Sequence, residues 1–175
     1  MTDAVIRPAE DADAAALGEL GRQTFIDTFV TGFGIPYPAE DLAAFLDASF
    51  SAETIRTKLR EPGAAWWVAE KDGRLLAFAN TGPNTLPHPD ARASHAELRR
   101  LYVSKPAQGT GLGTRLLETA LAWMEAHTDG PLWIGVWSGN LKAQKLYAAY
   151  GFGKVGEYQY PVGRWMDDEF ILRRG

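Results

Sequence analysis

The 175-residue sequence contains no cysteine, which excludes disulfides, a thiolate zinc site and a thiol nucleophile. That absence suits a reducing compartment, and the chain is expected to be cytoplasmic. Long apolar runs are missing too: nothing approaches the ~20 apolar residues of a membrane-spanning helix. The opening MTDAVIRPAED is charged early and lacks an apolar h-region, so no signal peptide is expected. Positive charge is scarce, with 18 Lys and Arg against 22 Asp and Glu and a net charge of −4. This argues against a nucleic-acid partner and leaves room for a cationic substrate. His88, His95 and His127 are the only histidines. They lack metal-ligand spacing and read as surface residues, so no metal is expected.

What remains has the composition of one globular domain over residues 1–175, with 46% hydrophobic and 23% charged residues and enough length for a sizeable core. Its organising stretch is ELRRLYVSKPAQGTGLG, residues 97–113. Leu98, Leu101, Tyr102 and Val103 read as a strand, and Ser104, Lys105 and Pro106 break it. Three glycines follow at Gly109, Gly111 and Gly113. Beyond them Leu112, Leu116, Leu117, Ala120, Leu121 and Met124 recur at the spacing of one buried helix face. Strand, glycine-rich turn and helix together make an anion site, because first-turn N–H groups lack intrahelical partners and sit at the positive end of the helix dipole. The dinucleotide fingerprint fails, since Thr114 stands where its third glycine belongs. A P-loop fails because Gly113 is followed by Thr114 and Arg115 rather than Lys and Ser or Thr.

The pattern that fits is Q-x-x-G-x-G at Gln108, Gly111 and Gly113. It resembles the coenzyme A loop of the GNAT superfamily of N-acetyltransferases. Further along, NLKAQKLYAAYGF, residues 140–152, is similar to that family's second motif, N-x-x-A-x-x-L-Y-x-x-x-G-F. The resemblance covers residues 97–172 well and the first 90 residues only in outline. It implies acetyl-CoA as co-substrate. The backbone at Leu101, Tyr102 and Val103 would meet the thioester and pantetheine, and Gln108, Gly109, Thr110, Gly111, Leu112, Gly113 and Thr114 would hold the pyrophosphate. Asn140 would bond the pantetheine arm. Tyr147, seven residues after Asn140, would lie on the same helix face and could protonate the departing sulfur. The other reading of Tyr147 is a core tyrosine.

Elsewhere, Val5, Ile6 and Arg7 form a short strand before Pro8. Asp11 or Asp13 can cap a helix with Ala16, Leu17, Leu20, Phe25 and Phe29 on its apolar side. Pro38 can start a second helix with Leu42, Phe45 and Leu46 inward. Ser51 can cap a third, short one that Pro62 and Gly63 end. Residues 65–70 and 74–80 form a hairpin about Asp72 and Gly73. Residues 83–94, with three prolines, read as an exposed loop, and residues 132–136, 153–160 and 165–172 as strands. The main order, β-α-α-β-β-β-α-β-α-β-β, gives an α/β fold: a mixed, mostly antiparallel seven-stranded sheet with helices on both faces. This order is similar to that of the GNAT fold, and the resemblance implies that strands four and five splay to admit the acetyl-pantetheine arm.

Acyl transfer from a thioester to an amine needs a base, donors for a developing oxyanion, a proton for the thiolate and exclusion of water. Glu97, heading the fourth strand, is the candidate base. It could instead be a surface carboxylate paired with Arg99 or Arg100, and His95 is a rival base. Phe29 and Tyr37 are candidate substrate contacts, although with Phe33 they also read as apolar filler. Asp11, Asp13 and residues 167–169 read as solvated acids. The region around residues 12–50, the ELRRLYV strand and a G-x-x-x-x-D pattern at Gly163 resemble the polyamine-acetylating branch. The acceptor would be a small-molecule amine or a peptide N-terminus. The rival readings are a non-catalytic coenzyme A-binding module and a nucleotide-binding protein. The aromatic C-terminal strands suggest a homodimer.

Overall fold

Runs of β-branched and aromatic residues build seven strands in residues 3–175, the part of the chain that the computed structural model describes. They are β1 (Val5–Pro8), β2 (Ala65–Lys71), β3 (Arg74–Pro83), β4 (Ala96–Val103), β5 (Leu132–Trp137), β6 (Gly153–Val162) and β7 (Trp165–Arg174). They form one sheet in the order β1-β2-β3-β4-β5-β7-β6. Only β4 and β5 run parallel, joined by a helical crossover; every other neighbouring pair is antiparallel. The α/β architecture expected from the sequence is the one observed.

Helices α1 (Ala14–Phe25), α2 (Ala39–Phe50) and α3 (Ala52–Leu59) cover one face, and α4 (Leu112–His127) and α5 (Leu141–Ala149) the other. All six apolar positions expected on α4 are buried, each contributing ~1.5–3 kcal/mol if fully sequestered and large. Ser51 caps α3, its hydroxyl accepting the Thr54 N–H at 3.2 Å.

The N-terminal region departs from expectation in three places. Asp11–Asp13 is a single 3₁₀ turn, so α1 begins at Ala14 and its buried stripe is Ala14, Leu17, Gly18, Gly21, Thr24 and Phe25; Ala16 is exposed. Asp13 is not a solvated acid, because it accepts the Glu10 N–H at 2.7 Å and binds Arg7 at 2.8 Å. Phe29 lies in a π-helical turn, Ile26–Gly32, in which the Phe33 N–H reaches back five residues to the Thr28 carbonyl at 2.9 Å. Such turns rotate side chains off the regular helical spacing and recur at functional sites.

The loop expected to be exposed, residues 83–94, is partly buried, since Asn84 and Leu86 are buried and Leu86 packs with Trp133 and Ile171. Two features of β4 open the sheet. Asn80 pairs with Arg100 but Thr81 pairs with Leu98, so Arg99 is an extra, bulged residue. In addition, β4 and β5 pair only at Ala96–Leu132, Glu97–Trp133 and Leu98–Ile134. Beyond that point the strands diverge, and the β4 backbone facing β5 has no strand partner.

Candidate active site

A cavity of about 1140 Å³ runs through the β4–β5 gap and reaches both faces of the sheet. On the α4–α5 side it meets the glycine turn. Gly109 and Gly111 sit at φ +79° and +83°, and an added Cβ at either would meet nothing within 4 Å. Among the described residues, none of the N–H groups of residues 109–114 bonds to a backbone carbonyl. Open space, a row of free donors and the positive end of a 16-residue helix fit the diphosphate of coenzyme A. Gln108, Gly109, Gly111, Gly113 and Thr114 line the cavity.

Thr110 and Leu112 do not. The Thr110 hydroxyl donates to the Ala107 carbonyl at 2.6 Å, and the Leu112 side chain enters the core. Gln108 also braces the turn against β4, its amide donating to the Val103 carbonyl at 3.1 Å. Gly111→Val is expected to weaken acetyl-CoA binding at least about tenfold, ~1.4 kcal/mol, by calorimetry. The left-handed backbone at this position adds strain of roughly 1–2 kcal/mol, so the melting temperature should fall modestly as well. Unchanged affinity would remove the turn from the binding site.

Asn140 and Tyr147 both line the same side. Asn140 caps α5, its Oδ1 accepting the Ala143 N–H at 3.1 Å, which leaves the amide NH₂ for a ligand. Tyr147 is 8% exposed, edge-on to Phe152, and its hydroxyl bonds to no protein group among the described residues. Burial pushes its pKa up, so the phenol keeps its proton at neutral pH. Leu146 lines the cavity beside Tyr147, while the Tyr150 hydroxyl turns outward and donates to Glu118 at 2.7 Å.

The acceptor side lies beneath α1–α3. Leu101, Tyr102 and Val103 border the gap and Phe29 roofs it, with the Phe33 ring 4.6 Å from that of Trp137 and tilted 48° to it. Glu97 is 7% exposed. It is not a surface partner of Arg99 or Arg100, since Arg99 pairs with Glu61 at 2.5 Å. Its Oε1 accepts the Thr85 N–H and hydroxyl at 2.8 and 2.9 Å, and Oε2 has no hydrogen-bond partner among the described residues. Burial raises its pKa, opposed by the two Thr85 bonds. His95 is off the cavity wall, its Nδ1 accepting the Trp133 Nε1–H at 3.1 Å. Tyr37 is also off the wall: it is buried behind it, and its hydroxyl donates to Asp167 at 2.6 Å.

The acids of β7 overturn the solvated reading. Strand alternation turns Asp168 outward and sends Asp167 and Glu169 to the cavity. Asp167 is fixed by Tyr37 and by the Trp165 indole at 3.0 Å. Glu169 has no partner among the described residues, and burial, then Asp167, push its pKa up to about 8. A raised carboxyl pKa means that Glu169 contributes most to stability below its unfolded pKa. That contribution is lost as pH rises through about 8. The melting temperature should therefore decline between pH ~5 and ~8, and Glu169→Gln should flatten that decline; parallel curves would overturn the assignment.

Tyr158, also unanticipated, crosses Gly135 of β5, where an added Cβ would lie 2.6 Å from its hydroxyl. Lys58 on α3 lines the cavity too. Strand register and helix packing place these groups, and neither has a local sequence signal.

The model of the Acetyltransferase (GNAT) family matches residues 23–152. An uncharacterized N-acetyltransferase of Lactobacillus delbrueckii subsp. lactis is 26% identical over 99% of this chain and 98% of its own length. One from Mycobacterium tuberculosis is 30% identical over 77% of this chain and 82% of its own. The crystal structure of PaiA N-acetyltransferase from Thermoplasma acidophilum in complex with coenzyme A superposes with a TM-score of 0.77 at 19% identity, covering 99% of both chains. Among the described residues no helix is long and apolar enough to cross a membrane. With a glycine cradle on one face of a splayed sheet and buried acids on the other, the chain is an acyl-CoA-dependent N-acetyltransferase and belongs to the GNAT family.

Proposed function

We propose that the protein moves the acetyl group of acetyl-CoA to a primary amine by direct attack in a ternary complex. The observation that carries this reading is the β4–β5 gap, which joins the glycine cradle on one face to buried carboxylates on the other. When bound, acetyl-CoA supplies an activated thioester carbonyl. Glu97 Oε2 takes the proton of the attacking amine, while Thr85 holds Oε1 in place. Backbone N–H groups near Leu101, Tyr102 and Val103, on the β4 edge that β5 leaves unpaired, serve the gap as hydrogen-bond donors. Tyr147 Oη holds the proton that the leaving sulfur takes as the C–N bond replaces the C–S bond. Phe29 and Phe33 cover the acceptor side and exclude water.

The acceptor is a small-molecule amine or a peptide N-terminus, and the working form is a cytoplasmic homodimer. The dimer rests on the aromatic strands β6 and β7, of which β6 forms a sheet edge. The test is free-thiol release from acetyl-CoA with and without a panel of amines. Amine-dependent release is expected. Thermal stabilisation by coenzyme A without amine-dependent turnover would make the protein a non-catalytic binding module.

A further inference from the structure

Two cations line the acceptor half of the cavity without a counter-charge. Lys58 projects from the last turn of α3 and Arg100 from β4, beside the bulge. Among the described residues neither forms an ion pair. The Arg100 guanidinium lies 4.8 Å above the Phe50 ring and 5.9 Å from that of Tyr102, contacts that orient it without neutralising it. Glu61, an acid on the same wall, is committed to Arg99. Burial, then Arg100 and Arg99, push the Lys58 pKa down to about 8, the behaviour of an ammonium held among like charges.

An independent feature lies on the same wall. Thr24 lines the cavity at 4% exposure, and its hydroxyl has no partner. Buried charges and hydroxyls are ordinarily paired within the protein. Two unpaired cations and an orphan hydroxyl therefore point to an anion supplied from outside. The phosphates of coenzyme A do not answer this need, because the glycine turn opens on the opposite face of the sheet, where Lys105 and Lys142 line the cavity.

We infer that the acceptor is an amino acid-like molecule whose carboxylate is held by Lys58 and Arg100 while its amine faces Glu97. The inference rests on the acetyl-transfer reading above. Glu169, partnerless among the described residues, lines the same cavity and has carboxyl oxygens free to accept a hydrogen bond from the incoming amine. The cavity thus offers unpaired cations to a carboxylate and carboxyl oxygens to an amine, and an amino acid-like molecule carries both groups.

The test compares acceptors matched except for the acid group: 4-aminobutyrate against n-propylamine, and L-leucine against 3-methylbutylamine, with spermidine as an acid-free polycation. In the wild type, at least one carboxylate-bearing acceptor should exceed its partner about tenfold in kcat/KM, ~1.4 kcal/mol. Lys58→Gln should reduce that ratio about fivefold or more, whereas Lys58→Arg should preserve it. Three results would overturn the inference: a ratio near one, a preference for spermidine, or equal losses for both members of a pair in Lys58→Gln. Absence of thiol release with every amine, although acetyl-CoA raises the melting temperature, would instead sink the acetyl-transfer reading on which it depends.

Discussion

Glu97→Gln should lower kcat/KM for the amine by about 10²–10⁴-fold, the usual contribution of a general base, and leave acetyl-CoA affinity nearly intact. The substitution is conservative in the structure. A glutamine carbonyl can accept both Thr85 bonds that now reach Oε1, so the side chain stays in place and only the basic oxygen is lost. Burial already holds this carboxyl above the usual carboxylate range, which makes it a stronger base than a solvated glutamate. The defect should shrink at high pH, where the amine deprotonates unaided. Wild-type rates at neutral pH would transfer the role to Glu169 or to a water. His95 would not inherit it, because its ring stacks on Trp133 away from the cavity.

Tyr147→Phe should reduce kcat ten- to a thousandfold, on the order of 1.4–4 kcal/mol, with little change in melting temperature. The ring and its edge-on contact with Phe152 survive. The hydroxyl that disappears bonds to no protein group among the described residues, so folding loses nothing it depends on. Because burial raises the pKa of this phenol, the proton is retained across the neutral range and is given up only to a strong local base such as a thiolate. Parallel losses of activity and stability would identify a structural tyrosine. Full activity would mean that the sulfur leaves unprotonated or that water protonates it.

The parts of this site visible in the sequence are those written locally. A 3.6-residue period fixed the buried face of α4, the glycines marked its N-terminus, and Asn140 and Tyr147 belong to one short helix. All of these lie on the cavity or in the core. What stayed hidden depends on long-range geometry. Three consecutive acids at 167–169 look solvated until strand pairing sets Glu169 opposite Tyr158 and Trp137. Lys58 looks like an ordinary helix lysine until α3 settles beside the bulged segment of β4. Tyr37 resembled a substrate contact, but its hydroxyl is spent on Asp167. Thr110 and Leu112 share the glycine motif yet turn to the loop and the core, since a turn presents its backbone and not every side chain to a ligand.

The short parallel seam also bears on how the molecule opens. On one side β1 to β4 form a meander of antiparallel pairs, and on the other β5, β7 and β6 form a second antiparallel unit; only three residue pairs join them. Within each unit the strands are held by longer antiparallel ladders, whereas the seam rests on those three pairs and on the α4 crossover that packs over it. Amide hydrogens along this suture are therefore expected to exchange by partial opening of the sheet rather than by global unfolding. A molecule wedged in the gap binds only the sutured form and stabilises it by mass action, protecting amides on two strands that scarcely touch each other.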